Sequence, residues 1–135
     1  MIVVDANVIV YLLTPGSQSE LAWSAAERDD DWRVPTLWRS EVRSALLGIV
    51  RAGQLEASDA IASMNRAERL LIGSSHEVDS AHVLELAISS GCSAYDCEYV
   101  SLAENLGVRL VTSDREILAA FSERAVDLRA YAAGS

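Results

Sequence analysis

The chain has no lysine; all 11 of its basic residues are arginine. This removes every mechanism that needs a lysine amine. Cysteine is almost absent, and Cys92 and Cys97 are too few and wrongly spaced for a disulfide framework or a zinc clip. They read as small core residues, and the compartment as a reducing cytoplasm. No apolar run approaches membrane-spanning length, so no membrane partner is expected. The start, Met1-Ile2-Val3-Val4-Asp5, lacks a basic stretch and reads as a first strand, not a signal peptide. His76 and His82 are isolated in the sequence and receive no role. Positive charge is scarce as well: 20 acids against 11 bases leave a net charge of −9. Such a balance argues against coating nucleic acid through bulk electrostatics. It leaves open a site where metal ions and a few arginines hold phosphates.

What is present suffices for one domain over residues 1–135, with half of the residues apolar and a real core. Short apolar strands alternate with longer stretches of helical period, which predicts an α/β unit with a parallel sheet wrapped by helices. Strands are expected at Ile2–Val4, Trp32–Val34, His76–Val78, Val108–Val111 and Ala125–Leu128. Helices are expected at Asn7–Leu13, Ser19–Asp29, Thr36–Arg51 and Glu56–Ile72. Asp79 caps another that runs to Ser90, and one more begins at Ser93 or Ala94 and stops at Gly107. Ser113-Asp114-Arg115-Glu116 reads as a capping box, Ser113 paired with Glu116, opening a helix through Phe121. No repeat, linker or low-complexity segment interrupts this order. Sheets of this kind carry their sites beyond the strands' carboxyl ends.

Four acids fall at such places. Asp5 closes the first strand, where the alternative is a helix N-cap, and Asn7 is a neutral partner to steer it by hydrogen bonding. Glu41 lines up with Leu37, Ala45 and Gly48–Ile49 on the inward edge of its helix. The helix dipole explains its place in the early turns but not its inward direction. Asp96 aligns with Val100, Ala103 and Gly107, whereas Glu98 aligns with Ser101 and Asn105 on a line expected to face solvent. Asp114 directly follows the clearest inner strand and is left over by the capping box. Glu116 is a further candidate for a second ion, against its capping role. The run Asp29-Asp30-Asp31 beside a turn reads instead as a solvated corner. Converging acids repel one another unless a proton or a cation is shared. Hard oxygen donors suit Mg²⁺, or Mn²⁺ in its place, and not zinc. An ion there makes a water acidic enough to attack a phosphodiester in line.

The chain resembles the PIN-domain family, and within it the VapC-type toxins of bacterial toxin–antitoxin pairs. The resemblance rests on Val3-Val4-Asp5-Ala6-Asn7-Val8 and on Ser40-Glu41-Val42. It rests above all on Tyr95-Asp96-Cys97-Glu98-Tyr99-Val100-Ser101-Leu102-Ala103-Glu104-Asn105-Leu106-Gly107, followed by Leu110-Val111-Thr112-Ser113-Asp114. It implies a PIN-like three-layer sandwich, a central parallel sheet of about five strands flanked by helices. It implies a metal-dependent endoribonuclease that leaves a 5′-phosphate and a 3′-hydroxyl on structured RNA such as tRNA or ribosomal RNA. A cognate antitoxin would inhibit it. By the same resemblance Asp5, Glu41, Asp96 and Asp114 are the catalytic and metal-holding quartet, with Asn7, Ser113 and Glu116 in support. Cys97 stands where the family has alanine, and a small thiol fits that space.

Arginine holds phosphate through a planar fork of donors. Arg39 and Arg43, flanking Glu41, and Arg115, beside Asp114, are therefore the candidates for the RNA backbone; the alternative is plain surface arginine. Trp23, Trp32 and Trp38 read as core, and one left exposed would receive an antitoxin helix in a groove. The apolar side of Ala60–Leu71 is a candidate homodimer surface. A phosphoryl-accepting receiver domain would need a lysine near its aspartate. A haloacid-dehalogenase-like phosphatase would need an aspartate where Asn7 stands, and no glycine-rich phosphate loop follows any strand. The remaining rival is a catalytically inactive PIN-like module that acts through a protein or RNA partner.

Overall fold

A computed structural model describes residues 1–134 of the chain. Its strands are β1 (Ile2–Val4), β2 (Trp32–Pro35), β3 (Ser75–His76), β4 (Leu110–Thr112) and β5 (Ala125–Asp127). Between and after them lie α1 (Ala6–Leu13), α2 (Ser19–Arg28), α3 (Trp38–Arg51), α4 (Ala57–Leu70), α5 (Ser80–Ser90), α6 (Ala94–Leu106), α7 (Arg115–Ala120) and α8 (Leu128–Ala132). The five strands form one sheet in the order β3-β2-β1-β4-β5, every pair parallel. Parallel neighbours need crossovers, and right-handed ones place successive helices on a face fixed by the direction of travel. The path moves one way from β1 to β3 and the other way from β3 to β5. Hence α1–α4 cover one face and α5–α7 the other, giving the three layers expected. The terminal α8 packs back against α2.

The central strands β1, β2 and β4 are only three or four residues long and are covered on both faces. Val3, Val4, Val34, Leu110 and Val111 are wholly buried, together with Trp38, Val42, Val100 and Ile117 from the helices. Each such side chain contributes about 1.5–3 kcal/mol of transfer free energy. Gly91 and Gly107 end α5 and α6 in the left-handed region, φ 77° and 67°, which a Cβ disfavours. His82 has a structural place after all. Its ring bridges α5 to α6, with Nδ1 2.7 Å from the buried Ser101 hydroxyl and Nε2 2.9 Å from a Glu104 carboxylate oxygen.

Several boundaries differ from the expected ones. The second main helix begins at Trp38, and Thr36 lies outside it; the short strand is Ser75–His76, so Val78 falls beyond it. The final strand stops at Asp127, and Leu128, expected to end that strand, opens the unexpected helix α8. Five residues are too few to show a period. This turn is held by tertiary contacts: Arg28 donates to the Tyr131 carbonyl at 2.7 Å and stacks over that ring at 4.2 Å. In the acidic run, Asp31 accepts from Arg33 at 2.7 Å and Asp29 meets the Met1 amino group, so two of the three are paired rather than merely solvated.

Candidate active site at the sheet switch point

The strand order reverses between β1 and β4, and in open α/β sheets the crevice at that point collects ligands. Asp5 stands at the carboxyl end of β1 and Asp114 two residues past β4, on either side of the reversal. Glu41 comes from the first turn of α3 and Asp96 from the first turn of α6. Four segments far apart in sequence thus reach one edge of the sheet.

Their electrostatics are coupled. Burial pushes the Asp5 carboxyl up, with a hydrogen bond from Thr112 pulling against it and the charges of Asp96 and Asp114 adding to the rise. Burial also raises Glu41; the Tyr99 hydroxyl opposes this, while Asp5, Asp96 and Glu98 reinforce it. Asp96 is raised by burial and then by Asp114, with Glu116 contributing last. Each of these three acids therefore feels at least one other member of the quartet. Among the described residues, no basic group forms an ion pair with Asp5, Glu41, Asp96 or Asp114. Neither the buried Glu41 Oε1 nor the Tyr99 hydroxyl beside it has an aligned hydrogen-bond partner. Unpaired buried carboxylate oxygen is costly unless a proton or a cation completes it.

Among the described residues, no three His, Cys, Asp or Glu side chains are gathered tightly enough to clamp an ion together. A donor set of this kind fits magnesium better than zinc, because magnesium retains several waters and uses only one or two carboxylates directly.

Thr112 organises the centre of this edge, a residue that neither charge nor helical period singles out. Its buried hydroxyl donates to Asp5 Oδ2 at 2.7 Å and accepts from the Asp114 amide at 3.0 Å. One side chain thus orients the two acids that flank the switch point. The available signal was a hydroxyl at the last position of an otherwise apolar inner strand. Thr112→Val is expected to cost about 1–3 kcal/mol of stability by stranding the buried Asp5 oxygen. The check is the urea midpoint at an unchanged m-value.

Other expectations need correction. Ser113 and Glu116 form no capping box: the N-cap of α7 is Asp114, whose Oδ1 accepts from the amides of Glu116 at 2.9 Å and Ile117 at 3.0 Å. Aspartate outcompetes serine there because an ionised acceptor gains more from amide donors at a helix N-terminus. Asp114 therefore has a structural duty at Oδ1, and Oδ2 takes no hydrogen bond among the described residues. Asn7 is exposed and does not hold Asp5; Thr112 does. Asp5 occupies the N-cap position of α1 but makes no side-chain cap bond. Glu98 is not on a solvent line, since its neighbour Ser101 is fully buried and burial raises Glu98 itself. It is a fifth acid near Glu41. By contrast Val100 and Ala103, in line with Asp96, are fully buried as expected. Trp32 and Trp38 are core, while Trp23 remains 49% exposed.

An α/β sandwich with carboxylates at the switch point of a parallel sheet defines the class of protein. The PIN-domain profile matches residues 2–123, and the chain belongs to the PIN-domain family. Within the family it is similar to Ribonuclease VapC3 of Pyrobaculum aerophilum, 32% identical over 123 residues covering 89% of this chain and 94% of that protein. It is also similar to VapC ribonuclease Mb0985 of Mycobacterium bovis, 36% identical over 115 residues covering 84% and 86%. Among solved structures, PAE2754 from Pyrobaculum aerophilum superposes with a TM-score of 0.73 at 26% identity, covering 98% of this chain and 93% of that one. FitAcB from Neisseria gonorrhoeae has a TM-score of 0.69 at 19% identity, covering 95% and 98%, and speaks to the fold.

Proposed function

We propose that this chain is a metal-dependent endoribonuclease of the VapC kind, with Asp5, Glu41, Asp96 and Asp114 as the groups that hold Mg²⁺ or Mn²⁺, one or two of them directly and the others through its waters. The observation that carries the reading is the meeting of these carboxylates at the switch point without a basic partner. Similarity along most of the chain to proteins named as ribonucleases supports the choice of substrate. A bound ion would polarise a phosphoryl oxygen and make a water acidic enough to attack in line.

The chain's own groups have separable duties in this reading. Asp5, locked by Thr112, offers a fixed oxygen from the rigid end of β1. Asp114 serves the α7 amides with Oδ1, which leaves Oδ2 as the oxygen that would serve an ion. Asp96 lies in the first turn of α6, where the Ser93 hydroxyl accepts from its amide at 3.0 Å and fixes the backbone that carries it. Glu41, with Oε1 unpaired, completes the set from the opposite layer. An antitoxin that covers this edge would silence the enzyme, and the exposed Trp23 offers an apolar anchor for such a partner.

Purified, partner-free chain incubated with total RNA and Mn²⁺ is expected to cut RNA, and a chelator to stop it. RNA left intact across a range of ions and pH values would favour the inactive PIN-like module instead.

A further inference from the structure

Past Asp114 the acidic edge gives way to a hollow of different character. Thr112 of β4 lies opposite Asp127 of β5, so the chain leaves two neighbouring strand ends roughly 5 Å apart, the spacing of paired strands. Both exits turn into helices by one device. Asp114 Oδ1 accepts from the amides of Glu116 and Ile117, and Asp127 Oδ2 from those of Arg129 and Ala130. As a result Arg115 and Arg129 line a single cavity of about 340 Å³ together with Tyr11, Gln18 and Ser113. Asp127 is in the same wall, but its Oδ2 is engaged by the α8 amides. Both arginines are exposed, and neither is in an ion pair among the described residues.

The geometry points to a phosphodiester subsite: Arg115 and Arg129 hold the backbone phosphate of a nucleotide next to the one that is cut. Tyr11 and Gln18 supply polar contacts to its sugar. This inference rests on the endoribonuclease reading and extends it to how the substrate is positioned. RNA brought to four carboxylates is repelled until cations intervene, and a chain of net charge −9 has no long-range attraction to offset this. Two guanidinium forks in a hollow that reaches Ser113, the chain neighbour of Asp114, supply local attraction, and they match phosphate oxygens in pairs. The other arginine candidates are placed less well. Arg39 stacks over Trp38 at 5.2 Å, and Arg43 borders the apolar hollow between α3 and α4 with Leu46, Leu47 and Ile61.

Fluorescence anisotropy of a labelled single-stranded RNA with the full chain, in chelator, reads binding apart from cleavage. Arg129→Ala is expected to weaken binding roughly tenfold and to lower the slope of log K against log salt by about 0.7. Arg129→Lys should recover only part of the loss, because a point charge replaces the fork. Neutral methylphosphonate placed at each linkage in turn should weaken the wild type at one position, and Arg129→Ala should be insensitive there. Arg115→Ala provides an independent second variant, and melting curves confirm that each is folded. Unchanged affinity and salt slope in both alanine variants would overturn the subsite, whatever the wild type does to RNA. So would a loss confined to binding of a protein partner. An intact Arg129 effect in a chain that never cleaves RNA would sink the nuclease reading and leave the phosphate subsite standing.

Discussion

Asp96→Asn is expected to lower RNA cleavage by more than about a hundredfold while the chain stays folded. Outer-shell partners of metal ligands cost about 10–100-fold when removed, so loss of a direct ligand should exceed that range. The fold should survive because the residue's structural contact is through its backbone amide, which the Ser93 hydroxyl accepts. Asparagine keeps that amide, keeps the shape, and removes a charge that burial and Asp114 already disfavour. The ion-free melting temperature should therefore stay level or rise. Asp5→Asn should be equally inactive. The measurement is cleavage of a defined RNA at saturating Mn²⁺ alongside a thermal melt. Substantial activity in folded Asp96→Asn would remove that residue from the site.

Acidifying the ion-free protein from neutral pH down to the ordinary carboxylate range is expected to raise its melting temperature, the reverse of ordinary acid denaturation. Asp5, Glu41, Asp96 and Glu98 all have carboxyls raised above their usual range, chiefly by burial. For an acid whose folded pKa is raised, the unfolded chain ionises first as pH climbs. Stability is thus complete below the unfolded pKa and is lost as pH rises toward the folded one. Ion binding has the opposite slope, because ligands must be deprotonated. At an ion concentration near 100 times its dissociation constant the gain is about 2.7 kcal/mol, or about 10 °C for a chain of this size. That increment should shrink across the same acid window. Differential scanning fluorimetry at fixed ionic strength reads both slopes. A melting temperature that falls on acidification without ions, or one that ions leave unmoved at neutral pH, would contradict the site's electrostatics.

The parallel α/β layout was legible because β-branched runs such as Val108–Val111 and helical stretches such as Thr36–Arg51 differ in period and alternate strictly. The acids were legible for a related reason. Asp5 and Asp114 follow inner strands, and the line Asp96, Val100, Ala103 packs inward as its spacing requires. Glu98 was misread because a helix between a sheet and α5 is buried on more than one side. Its period then no longer separates core from solvent, and Ser101 is buried beside His82. The capping box failed because two neighbouring residues compete for the same amides, and spacing alone does not say which side chain wins.

By itself, the sequence determined the identity of the layers, the absence of any lysine chemistry, and the set of acids placed at strand ends and helix starts. These depend on local period and residue type, which are properties of short segments. Only the tertiary structure decided that Thr112 joins Asp5 to Asp114, that Asp114 rather than Ser113 caps α7, and that Arg129 and Arg115 line one hollow. Those facts depend on which strands are neighbours. Strand order is fixed by burial summed over the whole chain, a quantity that no short window contains.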